Sequence, residues 1–180
     1  MSATEIKFGG FGGQGVILAG IIIGRAASIY NNKFATLTQS FGPEARGSAC
    51  SAQVIVSDEK ILYPYVTRPS ILLVMSQEAS NKFLSEATDD ATVIIEEDLV
   101  RPQGLKPGMK LFGIPATRLA EELGRKMTLN IVMVGFFTAV TKLVAYEAVR
   151  EAVIASVPNG TEALNSKAFE RGYEYGLSLK

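Results

Sequence analysis

Five of the seven residues from Gly9 to Gly15 are glycine, in the run KFGGFGGQGVILAG, with a short alternating stretch before them and a long apolar stretch after. TEIKF alternates polar and apolar side chains and stops at glycine, which predicts a first strand over residues 5–8. Residues 15–30 have helical length, and Val16, Ala19, Gly20 and Ile23 can form one tight face. Gly10, Gly12 and Gly15 therefore satisfy G-x-G-x-x-G in the strand–turn–helix setting that the motif requires. Bare backbone at such a turn has three physical uses. It can bring a phosphate or another polar cofactor group to helix-terminal amides, seat an intact NAD or FAD, or simply let the first helix pack close to the sheet. An acid about 20 residues on would bind the ribose of NAD, but the second strand ends Thr38, Gln39, Ser40. No arginine stands there to favour NADP. Gln14 either donates from the first helical turn to a ligand or a neighbouring chain, or caps its own helix.

The remaining pattern alternates strands with helices. NNKFATLTQ reads as a turn and then a strand over residues 34–38. SFGPEARGS is a loop. ACSAQVIVS and KILYPYV are two β-rich runs split by DEK, a plausible hairpin. SILLVMS is continuously apolar, as a strand covered on both faces would be. QEASNKFLSEA is an amphipathic helix, ATVIIEE and GMKLFGIPA are strands, and ATRLAEELGRK is a helix with Leu119 and Leu123 on one face. A long apolar helix starts at Asn130, another covers residues 146–157, and Thr161 is expected to cap a last helix running to residue 178. These elements specify an α/β fold: one Rossmann-like, three-layer domain over residues 1–180, mainly parallel, with an antiparallel hairpin element.

Composition narrows the chemistry. Eighteen basic and eighteen acidic residues cancel, so no net field draws in nucleic acid or an anionic membrane. Residues 8–24 and 128–141 are uncharged but shorter than the roughly 20 apolar residues of a membrane span. They read as helices buried on both sides, and Phe136 and Phe137 as core or, on a different reading, as an interface of an assembly module. No secretory signal is expected, and scarce cysteine suits a reducing, cytoplasmic setting. With one cysteine, Cys50, and no histidine, the chain has no Ser-His or Cys-His nucleophile pair and no ligand set for zinc or an iron–sulfur cluster. Catalytic residues and metal sites are therefore expected to be absent here.

The loop TQSFGPEARGSACSAQ is the second unusual stretch. Gly42, Pro43 and Gly47 stiffen it, Glu44 and Arg46 flank Ala45, and Ser48 opens a small-residue run that admits close approach. The arginine fork suits a carboxylate or phosphate, while Glu44 can only accept; the two could also form a solvated ion pair. GGFGGQGV, then TQSFGPEARGSACSAQVIVSDEKILYP, then NIVMVGFFTAV at Asn130–Val140, then NSKAFERGYEYG with Asn165, Ala168, Phe169 and Gly172 stand in that order along the chain. Together they resemble the gamma subunits of 2-oxoacid:ferredoxin oxidoreductases.

The resemblance implies a complex that converts a 2-oxoacid and coenzyme A to an acyl-CoA, carbon dioxide and reduced ferredoxin. It implies thiamine diphosphate between alpha and beta subunits, iron–sulfur clusters in beta or a delta subunit, and neither in gamma, which would be inactive alone. The long loop looks closest to the 2-oxoglutarate or general ketoacid branch. On this resemblance the coenzyme A end of the active site is expected around Gly10, Gly12, Gly13, Gln14, Gly15, Gln39, Ser40, Gly42, Glu44, Arg46, Gly47 and Ser48. An architectural role for the same loops, a free-standing dinucleotide-binding oxidoreductase and self-association of the isolated chain stay open.

Overall fold

The run ILLV, Ile71–Val74, is buried at all four positions and pairs on both edges with parallel neighbours, which is why it shows no alternation. The computed structural model describes residues 3–41 and 49–179. Six strands are β1 (Thr4–Phe11), β2 (Phe34–Ser40), β3 (Ala49–Ser57), β4 (Ile71–Val74), β5 (Thr92–Glu96) and β6 (Lys110–Ile114). They form one sheet in the order β2-β3-β1-β4-β5-β6. β1, β4, β5 and β6 run parallel, and β3 lies antiparallel to β1 on one side and to β2 on the other. The α/β architecture is the expected one.

The hairpin has different strands from those expected. β2 pairs with β3, and KILYPYV forms no strand. Both edges of β3 are already occupied, so no ladder is left for that segment, and Pro64 could not have donated to one. The connection is tied instead by the Glu5 carboxylate, which accepts from the backbone N–H groups of Thr67 (2.7 Å) and Arg68 (2.8 Å).

Among the described residues six α-helices flank the sheet: α1 (Val16–Arg25), α2 (Gln77–Phe83), α3 (Ala116–Glu122), α4 (Leu129–Thr141), α5 (Tyr146–Ser156) and α6 (Glu162–Ser178). α1 widens into a π-helical turn over Ala26–Tyr30, so the expected helix reaches its expected end with looser winding. Thr161 begins α6 without capping it. Its hydroxyl donates to Pro158 O (2.6 Å) and accepts from Asn165 Nδ2 (3.0 Å).

Side chains alternate across the sheet. Ile6, Phe8, Leu73 and Ile94 enter a large core with α1, α3, α4, α5 and α6. Leu72, Val74, Val93 and Ile95 meet α2 in a smaller core on the opposite face. α4 lies between the sheet and α6: Phe137 packs on Phe8 of β1 (ring centroids 5.6 Å) and Phe136 on Tyr175 of α6 (5.9 Å). Phe136 and Phe137 are 0 % and 1 % exposed, so they are core and not an assembly surface. No helix of the described residues is long and apolar enough to cross a membrane.

Two glycines set the depth of α4. A Cβ on Gly135 would overlap the carbonyl oxygen of Phe169, and one on Gly172 would overlap that of Val132. The two helix backbones therefore touch where they cross. Gly24 of α1 has nothing within 4 Å of its Cβ position. Gly172→Ala should cost about 3 kcal/mol or more, since backbone cannot yield as a side chain would. Gly24→Ala should instead add about 0.5–1 kcal/mol from helix propensity. Urea denaturation of the two variants checks the pair, and equal effects would contradict the backbone contact.

Candidate functional site

β1 and β4 lie side by side, yet α1 leaves β1 toward the large core and α2 leaves β4 toward the small one. The crevice outside the carboxyl ends of those strands is a topological switch point, where open α/β sheets take ligands. The glycine turn stands at this place. Gly13 (φ 91°) and Gly15 (φ 75°) occupy the left-handed region, which glycine enters without steric penalty. Gly15 also lies against Asn130 of α4, whose Nδ2 donates to Gly15 O (3.3 Å).

Gln14 does not extend toward solvent as a ligand-binding arm. Its Oε1 accepts from Phe11 N (2.7 Å) and its Nε2 donates to Met75 O (3.0 Å). The amide thereby staples the end of β1 to the residue that follows β4. Gly10 makes room for it, because a Cβ there would stand 2.6 Å from Gln14 Oε1. One glycine of the motif thus makes room for an internal side chain. Gly12 is exposed in the turn.

A cavity of about 530 Å³ opens beside the staple, walled by Phe11, Met75, Leu99, Thr117, Met127 and Leu129, with Gln77 and Lys126 as polar members. Such a volume is that of a small-molecule site, and an apolar wall with few polar groups is its usual character. Ser76 behind it is occupied in capping α2 through Ala79 N (3.2 Å). Met127, 86 % exposed, leaves the rim open to a ligand or partner.

Glu96 holds two walls of the cavity. The side chain is fully buried at the tip of β5. Its Oε2 accepts from Leu99 N (2.7 Å) and its Oε1 from Thr117 N (3.2 Å). Burial pushes its carboxyl above the ordinary glutamate range, and the two backbone donors offset part of that rise. The nearby acids are otherwise engaged: Arg118 binds Asp98 (2.6 Å) and lies 3.6 Å from Glu97. Cys50 is buried, and desolvation raises its thiol pKa, so it is a poor nucleophile. Among the described residues no cluster could hold a metal ion.

The site residues expected from sequence divide three ways. Gly10, Gly12, Gly13, Gln14 and Gly15 form one turn, and Gly13 and Gln14 line the cavity. Gln39 and Ser40 end β2, which β3 separates from β1, roughly 10 Å away at the usual strand spacing. Gly42, Glu44, Arg46, Gly47 and Ser48 lie outside the described residues, although Glu78 of α2 accepts from Ala49 N (3.3 Å) at the foot of their segment. Sequence reasoning missed Glu96, Thr117, Lys126 and Met127. The G-R-K-M-T run after α3 looked only like a helix end, and nothing local places it opposite Gly13.

Two variants probe this construction. Gln14→Ala should lower stability by about 1–3 kcal/mol, because it strands Phe11 N and Met75 O. Glu96 binds its proton more tightly in the folded chain than in the unfolded one. Stability should therefore fall as pH rises from the unfolded carboxyl pKa through the folded one. Glu96→Gln should remove that part of the slope in melting experiments across mildly acidic pH; an unchanged slope would rule Glu96 out as its source.

The family model for pyruvate ferredoxin/flavodoxin oxidoreductase matches residues 5–175. The KorC subunit of 2-oxoglutarate synthase from Methanocaldococcus jannaschii is 45% identical over 177 residues, which cover 97% of this chain and 95% of that protein. The crystal structure of the keto/oxoacid ferredoxin oxidoreductase gamma subunit from Geobacter sulfurreducens PCA matches with a TM-score of 0.86 at 37% identity, covering 97% of this chain and 99% of that one. The 2-oxoglutarate:ferredoxin oxidoreductase from Magnetococcus marinus shares the fold. It matches with a TM-score of 0.84 at 19% identity, over 100% of this chain and 32% of its own.

Proposed function

We propose a role that proceeds from a plain premise: this chain belongs to the pyruvate ferredoxin/flavodoxin oxidoreductase family. It is a gamma-type subunit of a multi-subunit 2-oxoacid:ferredoxin oxidoreductase. Within that complex, the chain forms the coenzyme A side of the active site, and the 2-oxoacid is 2-oxoglutarate. The substrate assignment is supported by the likeness to 2-oxoglutarate synthase subunits. Alpha and beta subunits, with or without a delta subunit, supply the rest, and ferredoxin accepts the electrons. The complex works in the reducing interior of the cell, away from membrane and nucleic acid.

One observation carries the coenzyme A reading. The cavity at the β1–β4 switch point is apolar, open at its rim and walled partly by the glycine turn, while the chain has no histidine to act as a base. Such a site can hold and orient an extended, weakly polar arm, and Lys126 at its edge can meet an anionic group. It cannot supply a proton relay. One buried cysteine cannot supply the thiolate set of an iron–sulfur cluster, and on this reading the clusters and the thiamine diphosphate are held by partner subunits. Phe34 (49 %), Leu37 (39 %) and Phe41 (66 %) are exposed along and just beyond the uncharged outer strand β2, where a partner subunit would cover them.

In the reconstituted complex, Lys126→Ala and Arg46→Ala should each raise the KM for coenzyme A about threefold to tenfold and leave that for the 2-oxoacid unchanged. Loss of assembly with unaltered coenzyme A dependence would make the role purely architectural. Unchanged kinetics and assembly would overturn both readings.

A further inference from the structure

The sheet has two edges, and the sequence treats them differently. β6 is five residues long, opens on Lys110 and contains Gly113; a short edge carrying a charge discourages a further strand. β2 has none of these protections. FATLTQS carries no charge, no proline and no glycine, and its seven residues pair with β3 one for one, without a bulge. β3 is its only sheet neighbour among the described residues, so every second residue of β2 turns its backbone N–H and C=O outward. Phe34, Leu37 and Phe41 are exposed beside that row. A long, uncharged edge with exposed apolar side chains is a template for another strand.

Charge and symmetry select the occupant. A two-fold contact brings each group near its own copy, so a charge beside the axis would meet itself. No charge stands within β2, and two flanking cations are engaged on their own chain. Lys33, just before the strand, binds Asp58 (2.5 Å). Arg25, in the groove between α1 and β2, donates to Ala155 O (3.2 Å) and Ser156 Oγ (3.1 Å). A two-fold axis normal to the sheet keeps every side chain on its own face, so it passes through a residue and not between two. Leu37 is the middle of the seven, and an axis there pairs them all: Leu37 with Leu37, Thr36 with Thr38, Ala35 with Gln39 and Phe34 with Ser40. Threonine pairs are favourable across strands. On the α1 face the Leu37 pair stands beside a groove of about 200 Å³ lined by Ile21, Ser28 and Ala35. At each end Phe41 of one copy comes to the start of β2 in the other, which the exposed Ile29 and Tyr30 precede.

We propose that two copies of this chain pair through β2, antiparallel about Leu37, and join their six-stranded sheets into one. The contact uses up the open edge of each copy, and the lysine-bearing β6 edges end the joined sheet, so the assembly closes at two. The subunit that covers Phe34 and Leu37 is then a second copy of this chain, whatever ligand the cavity beside the glycine turn takes.

Sedimentation equilibrium of the intact chain should show the mass rising with concentration from one chain to two. Leu37→Lys and Leu37→Glu, at an exposed position, should each weaken dimerisation about tenfold or more, since like charges then meet on the axis; melting curves check that both variants stay folded. An equimolar mixture of the two should dimerise again, because opposite charges meet there. Only a residue that faces its own copy gives that rescue. Leu111→Lys on β6 should dimerise like the parent chain. In the reconstituted complex, Leu37→Lys should halve the mass of the assembly and keep every subunit in it. A parent chain that is monomeric at every concentration, dimers indifferent to the single variants, or no recovery in the mixture would overturn the proposal. So would loss of this chain from the Leu37→Lys complex, which would assign the edge to a different subunit.

Discussion

The touching backbones of α4 and α6 at Gly135 and Gly172 set the geometry on which the rest of the molecule depends. With α6 that close, α4 is pressed between it and the sheet, and every residue from Leu129 to Ala139 is buried. Its first turn then comes to the glycine turn, where Asn130 meets Gly15. A side chain at either crossing glycine would lift α4 by a methyl radius or more, and the packing of interiors leaves no slack to absorb that. The heads of α1 and α4 would separate, and the cavity beside the glycine turn shares walls with those heads.

The glycine motif shows how a sequence pattern can be right in place and different in use. Strand, turn and helix stand where G-x-G-x-x-G requires, and Gly13 and Gly15 need positive φ. A dinucleotide fold would set a second parallel strand beside β1, with an acid at its tip. Here antiparallel β3 takes that position, so a tip residue on β2 could not reach a ribose at the turn. Gln14 fills the gap between β1 and β4 with its own amide. The turn is braced from inside, and the open volume lies beside it.

Strands whose signal is local were legible. TEIKF, SILLVMS and ATVIIEE each carry enough β-branched or alternating character to stand alone, and each is a strand. KILYPYV has the same local character, but its fate depended on whether β3 had a free edge, a matter of sheet order that no periodicity records. The same limit applies at the site. Gly13 and Gln14 announce themselves by composition, whereas Glu96 and Met127 gain their meaning from neighbours distant in sequence. Thr161 looked like a cap because threonine before a helix usually is one. Pro158 O and Asn165 captured its hydroxyl first.

The placement of charge completes the division of labour between this chain and its partners. The one fully buried carboxylate among the described residues, Glu96, is bound by two backbone N–H groups and is thereby a structural tie rather than a base. A general base must keep a lone pair within reach of the proton it takes, and both Glu96 oxygens are engaged behind the cavity wall. Cys50 is sealed in the core, and no imidazole exists. What faces the cavity is apolar side chain, backbone, amide, hydroxyl, thioether and the Lys126 ammonium. Those groups can fix the position of an extended ligand without reacting with it.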